Sequence, residues 1–420
     1  MNYLLFALYV AVTAVTYWLR HLNLRHGRQH GATVPEGFEE AIDRDTLARS
    51  AAYTLDRSRL ELWESIFDNC LLVVFLFAGL LPVYDHFVAG LAGPFILRGI
   101  LFFLILTWVQ TALELPFSYY GTFVVEARHG FNTTTPRLWL IDLLKSQLIG
   151  SLLLAIMTGA AFWLIQWSPL HWWLWVWAFM AAFGLFLMFL SPYLIEPLFN
   201  RFEPVTEEGL EEEISAMMAK AGLKVGRVMQ MDASRRSRHS NAYFTGIGRV
   251  KRIVLFDTLL KQMSHAEIVA VLAHEIGHWK LRHILKRLVV VELLMLGGTW
   301  LAFHLLQWPA LPALLGLDSA SLPGRMVILG FIASLAMFPV TPLSAWFSRR
   351  DETAADRFAG QITGRPAALA AALIKMSAEN LANLHPHPLY ARFYYSHPPV
   401  VERVQRLLSW GSGGTVDAKR

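Results

Sequence analysis

Near the middle of the chain, His274-Glu275-Ile276-Gly277-His278 forms an H-E-x-x-H run. On a helix, positions i and i+4 share a face, so both imidazoles can bind one zinc ion. Glu275 stands beside them and could take a proton from water activated at that metal. The chemistry suggested is metal-assisted hydrolysis. The competing possibility is a pair of buried or interfacial histidines. His283 fits that face less well and is read as structural.

A catalytic zinc takes three protein ligands and keeps one position open. The candidate third ligand is Glu352, in Asp351-Glu352-Thr353-Ala354-Ala355-Asp356, with Asp351 as its rival. Glu352 and Asp356 are again i and i+4. Asp356 could accept the second ring N–H of a liganding histidine and fix its tautomer. Spacing alone leaves open a solvated charged face that pairs with Arg349, Arg350 and Arg357.

Several elements must position these residues. Ser264 and Glu267 form an S-x-x-E capping box, and apolar Ile268, Val269, Val271 and Leu272 follow it; the pattern predicts a helix from about His265 through the metal motif. Thr206 to Ala221 reads as a helix capped by Thr206, with Glu207 and Glu208 in its first turn and Gly222 as its stop. Residues 227–231 and 253–257 read as short strands. Thr363 to Pro366 opens a helix to about Leu384, and the Gly-Ser-Gly-Gly stretch at 411–414 reads as frayed. His397, before Pro398 and Pro399, looks like a helix start. The helix would carry an apolar stripe of Val400, Val401, Val404, Leu407 and Leu408, with Arg403 an exposed charge. Asn241 reads as a turn residue, and Tyr390, Phe393, Tyr394 and Tyr395 as packing or an interfacial belt.

The rest of the chain is apolar. Of 420 residues, 55% are hydrophobic and 16% charged, against about 25% charged in soluble domains; mean hydropathy is +0.40. This argues against a soluble single-core enzyme, a disordered chain or a nucleic-acid binder. The +5 charge fits Lys and Arg flanking membrane spans. The single cysteine, Cys70, excludes an internal disulfide framework and a cysteine metal site, and reads as a small buried residue. Seven stretches are long enough to span a bilayer: roughly 2–19, 66–84, 95–115, 144–167, 171–193, 284–307 and 325–348. The first lacks a basic start and a convincing cleavage site, so it reads as a retained span. Segments 85–94, 168–170 and 308–324 contain no Lys or Arg. That asymmetry puts the N-terminus outside and the polar segments in the cytosol. The domains expected are spans one to five (1–193), a cytosolic catalytic segment with the metal helix (194–283), spans six and seven (284–348) and a C-terminal catalytic segment (349–420). Glu114, Lys286, Arg287 and Glu292 lie in or beside spans and should face the bundle interior or snorkel.

The ordered motifs resemble those of the type I CAAX prenyl proteases, integral-membrane zinc metalloproteases. The resemblance covers most of the chain. It rests on Pro116 to Tyr120 leading to Glu126-Ala127-Arg128-His129-Gly130-Phe131-Asn132, on Pro197 to Phe202, on Ser240 to Gly246, on His274 to His283, on Glu352 to Asp356, and on Ser396-His397-Pro398 with Glu402-Arg403. It implies seven helices around an internal chamber, closed by a cytosolic, mostly helical zinc domain with a short sheet. By the same resemblance His274, His278 and Glu352 are metal ligands to one zinc and Glu275 is the base. Asp356 lies behind the ligands, Asn241 binds substrate backbone from an edge strand, and His397 and Arg403 stabilise the oxyanion and hold substrate. Implied partners are the lipid bilayer and a peptide or protein substrate, prenylated and cut before the last three residues of a C-terminal C-a-a-X; nucleic acid is not among them. A bacterial member would instead cut membrane or misfolded proteins, and composition with short outer loops favours the bacterial inner membrane over the endoplasmic reticulum. The alternatives are a shorter heat-shock-type membrane metalloprotease, a seven-span receptor or transporter without bound zinc, and a catalytically dead scaffold.

Overall fold

The computed structural model describes residues 3–245 and 250–411. Gly246 and the tail beyond Gly411, including the stretch expected to fray, lie outside them. Six helical segments are long and apolar enough to cross a membrane, and a bent pair makes a seventh. In chain order the membrane part comprises α1 (Tyr3–His30), α2 (Arg44–Phe77), α3 (Leu80–Ala89), α4 (Phe95–Tyr120), α5 (Pro136–Trp167) and α6 (Trp172–Leu194). A short α7 (Glu196–Phe199) leads into β1 (Phe202–Pro204), α8 (Leu210–Lys220), β2 (Lys224–Met231), β3 (Ala242–Thr245), β4 (Val250–Phe256), α9 (Asp257–Gln262) and α10 (His265–Lys280). The chain then runs through α11 (His283–Gln307), α12 (Leu322–Met337) and α13 (Thr341–Thr363), and ends in α14 (Pro366–Glu379), α15 (Pro388–Tyr394) and α16 (Val400–Gly411).

The second expected span is a broken one. α2 and α3 meet at 66°, where Gly79 has φ +87, a left-handed conformation that glycine adopts without steric cost. Burial along the helices is uneven. Leu76, Leu81, Val88, Phe102, Leu164, Trp172, Val176, Leu306, Ile328 and Phe331 form one core, at the helix ends away from the metal motif. Between that core and the polar segments, residues 54–75, 103–120, 136–161, 177–191 and 284–305 contain no buried residue. These stretches are at most half-buried, and the helices meet along them through single polar contacts such as Trp108 Nε1 to Ser151 Oγ at 3.0 Å and Trp177 Nε1 to Glu292 O at 3.1 Å. Cys70 lies in one of these stretches and is exposed, not buried as expected: at this level α2 turns Phe67 to Phe117 of α4 and Asn69 to Tyr17 of α1 and leaves Cys70 outside those contacts.

A second core joins α8, the sheet, α9, α10, α14 and α16, and takes in Phe38, Ile42 and Leu47 from the α1–α2 region. The four-stranded sheet has the order β1-β2-β4-β3; β2 and β4 are parallel, while β1 and β3 pair antiparallel with their neighbours. β3 is therefore an edge strand. Three boundaries differ from expectation. Val205 still donates to Val228 O at 3.2 Å, and Gly209 takes φ +80, so α8 begins at Leu210 and Thr206 is not its cap. Asp257 opens α9 instead of ending a strand, its carboxylate accepting from Ser234 N at 2.9 Å. α14 stops at Glu379, short of Leu384, because Leu381 turns to φ +48.

Candidate active site

The capping box forms at the start of α10: Ser264 N donates to Glu267 Oε2 at 2.8 Å, and Lys375 of α14 donates to the same oxygen at 2.8 Å. This end is fixed in the soluble core, so the two turns carrying His274 and His278 are held rigidly. α13 crosses beside them. A Cβ on Gly277 would lie 3.0 Å from the Ala355 Cα, so only glycine lets the helices approach this closely. The approach brings the i, i+4 face of α13, Glu352 and Asp356, against the i, i+4 face of α10.

The convergence is tight. His274 Nε2 and His278 Nε2 are 3.2 Å apart, and each lies 3.2 Å from an oxygen of Glu352. Ligand atoms of these three residues all lie within 4.8 Å of one another. Glu352 Oε2 is buried and makes no hydrogen bond of good geometry. A buried carboxylate oxygen left without a proton donor, opposed to two ring nitrogens, is the arrangement of a donor set that fits a cation.

Each histidine has a partner on its other nitrogen. His274 Nδ1 is 2.8 Å from Asp356 Oδ1, the contact expected from the sequence. Asp356 accepts two further bonds from Arg403, at 2.9 Å from Nε and 2.6 Å from Nη2. Arg403 is buried, not an exposed charge, and its guanidinium also reaches the metal cluster, with Nη2 3.4 Å from His274 Nδ1 and Nη1 4.0 Å from Glu352 Oε2. His278 Nδ1 is 3.1 Å from His283 Nδ1, and His283 Nε2 is 3.5 Å from Asp351, which also pairs with Arg287 at 3.1 Å. Asp351 therefore points away from the cluster. His283 supports it from behind, a role its spacing did not signal. Asp356→Asn is expected to weaken metal affinity by about 10–100-fold, measured by titration against a competing chelator. Arg403→Ala leaves the buried Asp356 with His274 as its remaining partner, and should cost about 3 kcal/mol of stability, read as a fall in melting temperature together with weaker metal binding.

Glu275 is half-buried; burial pushes its carboxyl above the ordinary range, against the pull of His274 and His278. His397 stands at the rim with its side chain 59% exposed, Nε2 3.4 Å from Glu352 Oε1 and Nδ1 2.9 Å from Ser396 Oγ. Asn241 immediately precedes β3: its carbonyl accepts from Phe256 N at 3.1 Å and its side chain from Ala242 N at 2.8 Å. β3 packs against α10, and no strand among the described residues pairs with its outer edge. The structure thus brings His274, His278, Glu352, Asp356 and Arg403 into one buried cluster. His397 is at its open side, and Asn241 directly precedes the adjoining strand.

Two family models match: residues 23–201 match the CAAX prenyl protease N-terminal segment of five membrane helices, and residues 204–411 match peptidase family M48. The chain is 36% identical to a CAAX prenyl protease 1 homolog of Oryza sativa, over 90% of this chain and 92% of that one. It is 30% identical to the Homo sapiens homolog, over 94% and 93%. The crystal structure of S. mikatae Ste24p superposes with a TM-score of 0.87 at 27% identity, covering 95% of this chain and 98% of that one.

Proposed function

Because the chain belongs to peptidase family M48, in its membrane-embedded CAAX prenyl protease branch, we propose that this multi-pass metalloendopeptidase uses zinc to remove the last three residues of prenylated C-a-a-X proteins. The observation that carries the reading is the His274–His278–Glu352 cluster beside Glu275 and the outer edge of β3. Zinc fits because its ligand bonds of about 2.0–2.1 Å in a tetrahedron put ligand atoms about 3.3 Å apart, close to the separations found here. When bound, zinc polarises the scissile carbonyl and acidifies water.

The chain's own groups do the rest. β3 holds the substrate extended, with main-chain hydrogen bonds and Asn241 fixing its position. Glu275, raised in basicity by burial and with no ligand duty, takes the proton from the attacking water and returns it to the departing amine. His397 donates to the oxygen that turns negative. Asp356 keeps His274 in the tautomer that offers Nε2, and Arg403 holds Asp356 in place.

The lysine and arginine asymmetry puts this site on the cytosolic side. The relatives named above are eukaryotic, which weighs against the bacterial inner membrane that composition favours; the charge asymmetry has the same consequence in either membrane. The five-helix match over residues 23–201 weighs against a shorter heat-shock-type protease, and a buried triad of ligands weighs against a receptor or transporter. The test is metal dependence: purified protein should hold one zinc per chain, lose peptide cleavage on chelation and regain it with zinc. Full cleavage by zinc-free protein would overturn the reading.

A further inference from the structure

A second cluster of ionisable groups lies away from the metal ligands, and the chemistry above does not use it. α4 continues into a π-helical turn, Gly121–Glu126, a geometry that recurs at functional sites. The turn ends on Glu126. Its Oε1 accepts from Tyr53 OH of α2 at 2.7 Å, and its Oε2 lies 3.2 Å from His239 Nε2. The other ring nitrogen of His239 is 3.0 Å from Asn380 Oδ1. That oxygen also accepts from Ser240 N at 3.3 Å, which identifies it as the acceptor end of the amide. Both nitrogens of His239 therefore face acceptors, and the ring that satisfies both carries two protons and a positive charge. Burial opposes the charge, but Glu126 and Asn380 outweigh it and hold the imidazole above its ordinary range. Phe131 stacks on the ring at 4.1 Å. The remaining charged group turned towards it is Arg57 of α2, which reaches Tyr53 OH at 3.5 Å.

This cluster sits on the approach to β3. Arg238 N donates to Phe131 O at 3.0 Å and Thr133 N to Arg236 O at 3.4 Å, with Asn132 bridged to Ser237. The segment before the strand thus lies antiparallel to the loop after α4. His239 O accepts from Thr258 at 3.0 Å. Two residues later Asn241 leads directly into β3. Glu126, anchored to α2 by Tyr53, grips the chain just ahead of the residues that would hold the substrate.

We propose that Glu126 and His239 form a charged latch, fastened to the membrane helices, that sets the position of edge strand β3 for substrate binding. Both are positioning residues, and the inference rests on reading β3 as the substrate strand. With the ring protonated the latch is closed; as pH rises and the proton leaves, one acceptor loses its donor, and the approach to β3 loosens.

A double-mutant cycle on the full-length, zinc-loaded protein tests this, with kcat, KM, zinc content and pH profile measured on one peptide for wild type, Glu126→Gln, His239→Gln and the double variant. Each single change should raise KM about 10-fold, the size of one charge-assisted hydrogen bond, with zinc content unchanged and kcat within about threefold. The double variant should be no worse than either single, because both remove the same interaction. In wild type KM should climb as pH rises through the titration of His239, and in Glu126→Gln the climb should begin about one pH unit lower. Glu126→Asp, which keeps the charge, should recover most of the loss. Additive effects, unchanged KM in both single variants, or loss of zinc and kcat in step with melting temperature would each overturn the latch. Absence of zinc-dependent cleavage in the wild-type protein itself would overturn the protease reading as well, which distinguishes that failure from failure of the latch.

Discussion

Glu275→Gln is expected to cut kcat by about 10²–10⁴-fold while zinc content and melting temperature stay at wild-type values. The carboxylate is next to His274 in sequence, yet it is not among the three residues whose ligand atoms converge, so replacing it removes a proton acceptor and leaves the metal site intact. Glutamine keeps the size and shape of the side chain, and loses the charge and the ability to take a proton. Burial favours this role, since it raises the affinity of the carboxyl for the proton it must accept. Zinc analysis and turnover on one purified sample decide the matter, and turnover close to wild type would remove Glu275 from the chemistry.

Glu352→Ala should empty the metal site and abolish cleavage, whereas Asp351→Ala should do neither. Among the described residues, Glu352 supplies the carboxylate that converges with both ring nitrogens, and one of its oxygens lacks a hydrogen bond. A buried carboxylate with an unsatisfied oxygen contributes little to the fold of the metal-free protein, so its loss should fall on zinc affinity, by more than the roughly 10–100-fold typical of residues that support a ligand. Asp351 is engaged by His283 and Arg287. Metal analysis and melting temperature of both variants separate the two carboxylates; an empty site in Asp351→Ala with a full one in Glu352→Ala would reverse the assignment.

Much of this site is legible in the amino-acid sequence, because its spacing is helical. The i, i+4 periodicity sets His274 with His278 and Glu352 with Asp356 on single faces, and the capping box marks where α10 begins. Which two faces meet is not legible: that depends on Gly277 admitting α13, a contact between residues far apart in the chain. Arg403 misleads for a related reason. It borders the apolar stripe of α16, four residues before Leu407, where a long charged side chain could equally snorkel to solvent, and only the packing of α16 beside α13 buries it against Asp356. His283 lies five residues beyond His278, and the break between α10 and α11 at Arg282, with φ +58, turns it back toward His278. The chain's apolar runs announce the spans, but the bend at Gly79 is a tertiary fact. Glu126 and His239 carry no recognisable spacing at all, since 113 residues separate them.

The central claim is that this membrane metalloendopeptidase cuts prenylated C-a-a-X substrates before their last three residues. The most direct measurement is the mass of the products when the zinc-loaded protein is given a farnesylated C-a-a-X peptide beside its unprenylated twin. The account predicts one cleavage, releasing the intact C-terminal tripeptide, with the farnesylated peptide cut at the higher kcat/KM. Cleavage at scattered sites with no preference between the two peptides, or no cleavage of either by protein holding a full complement of zinc, would contradict it.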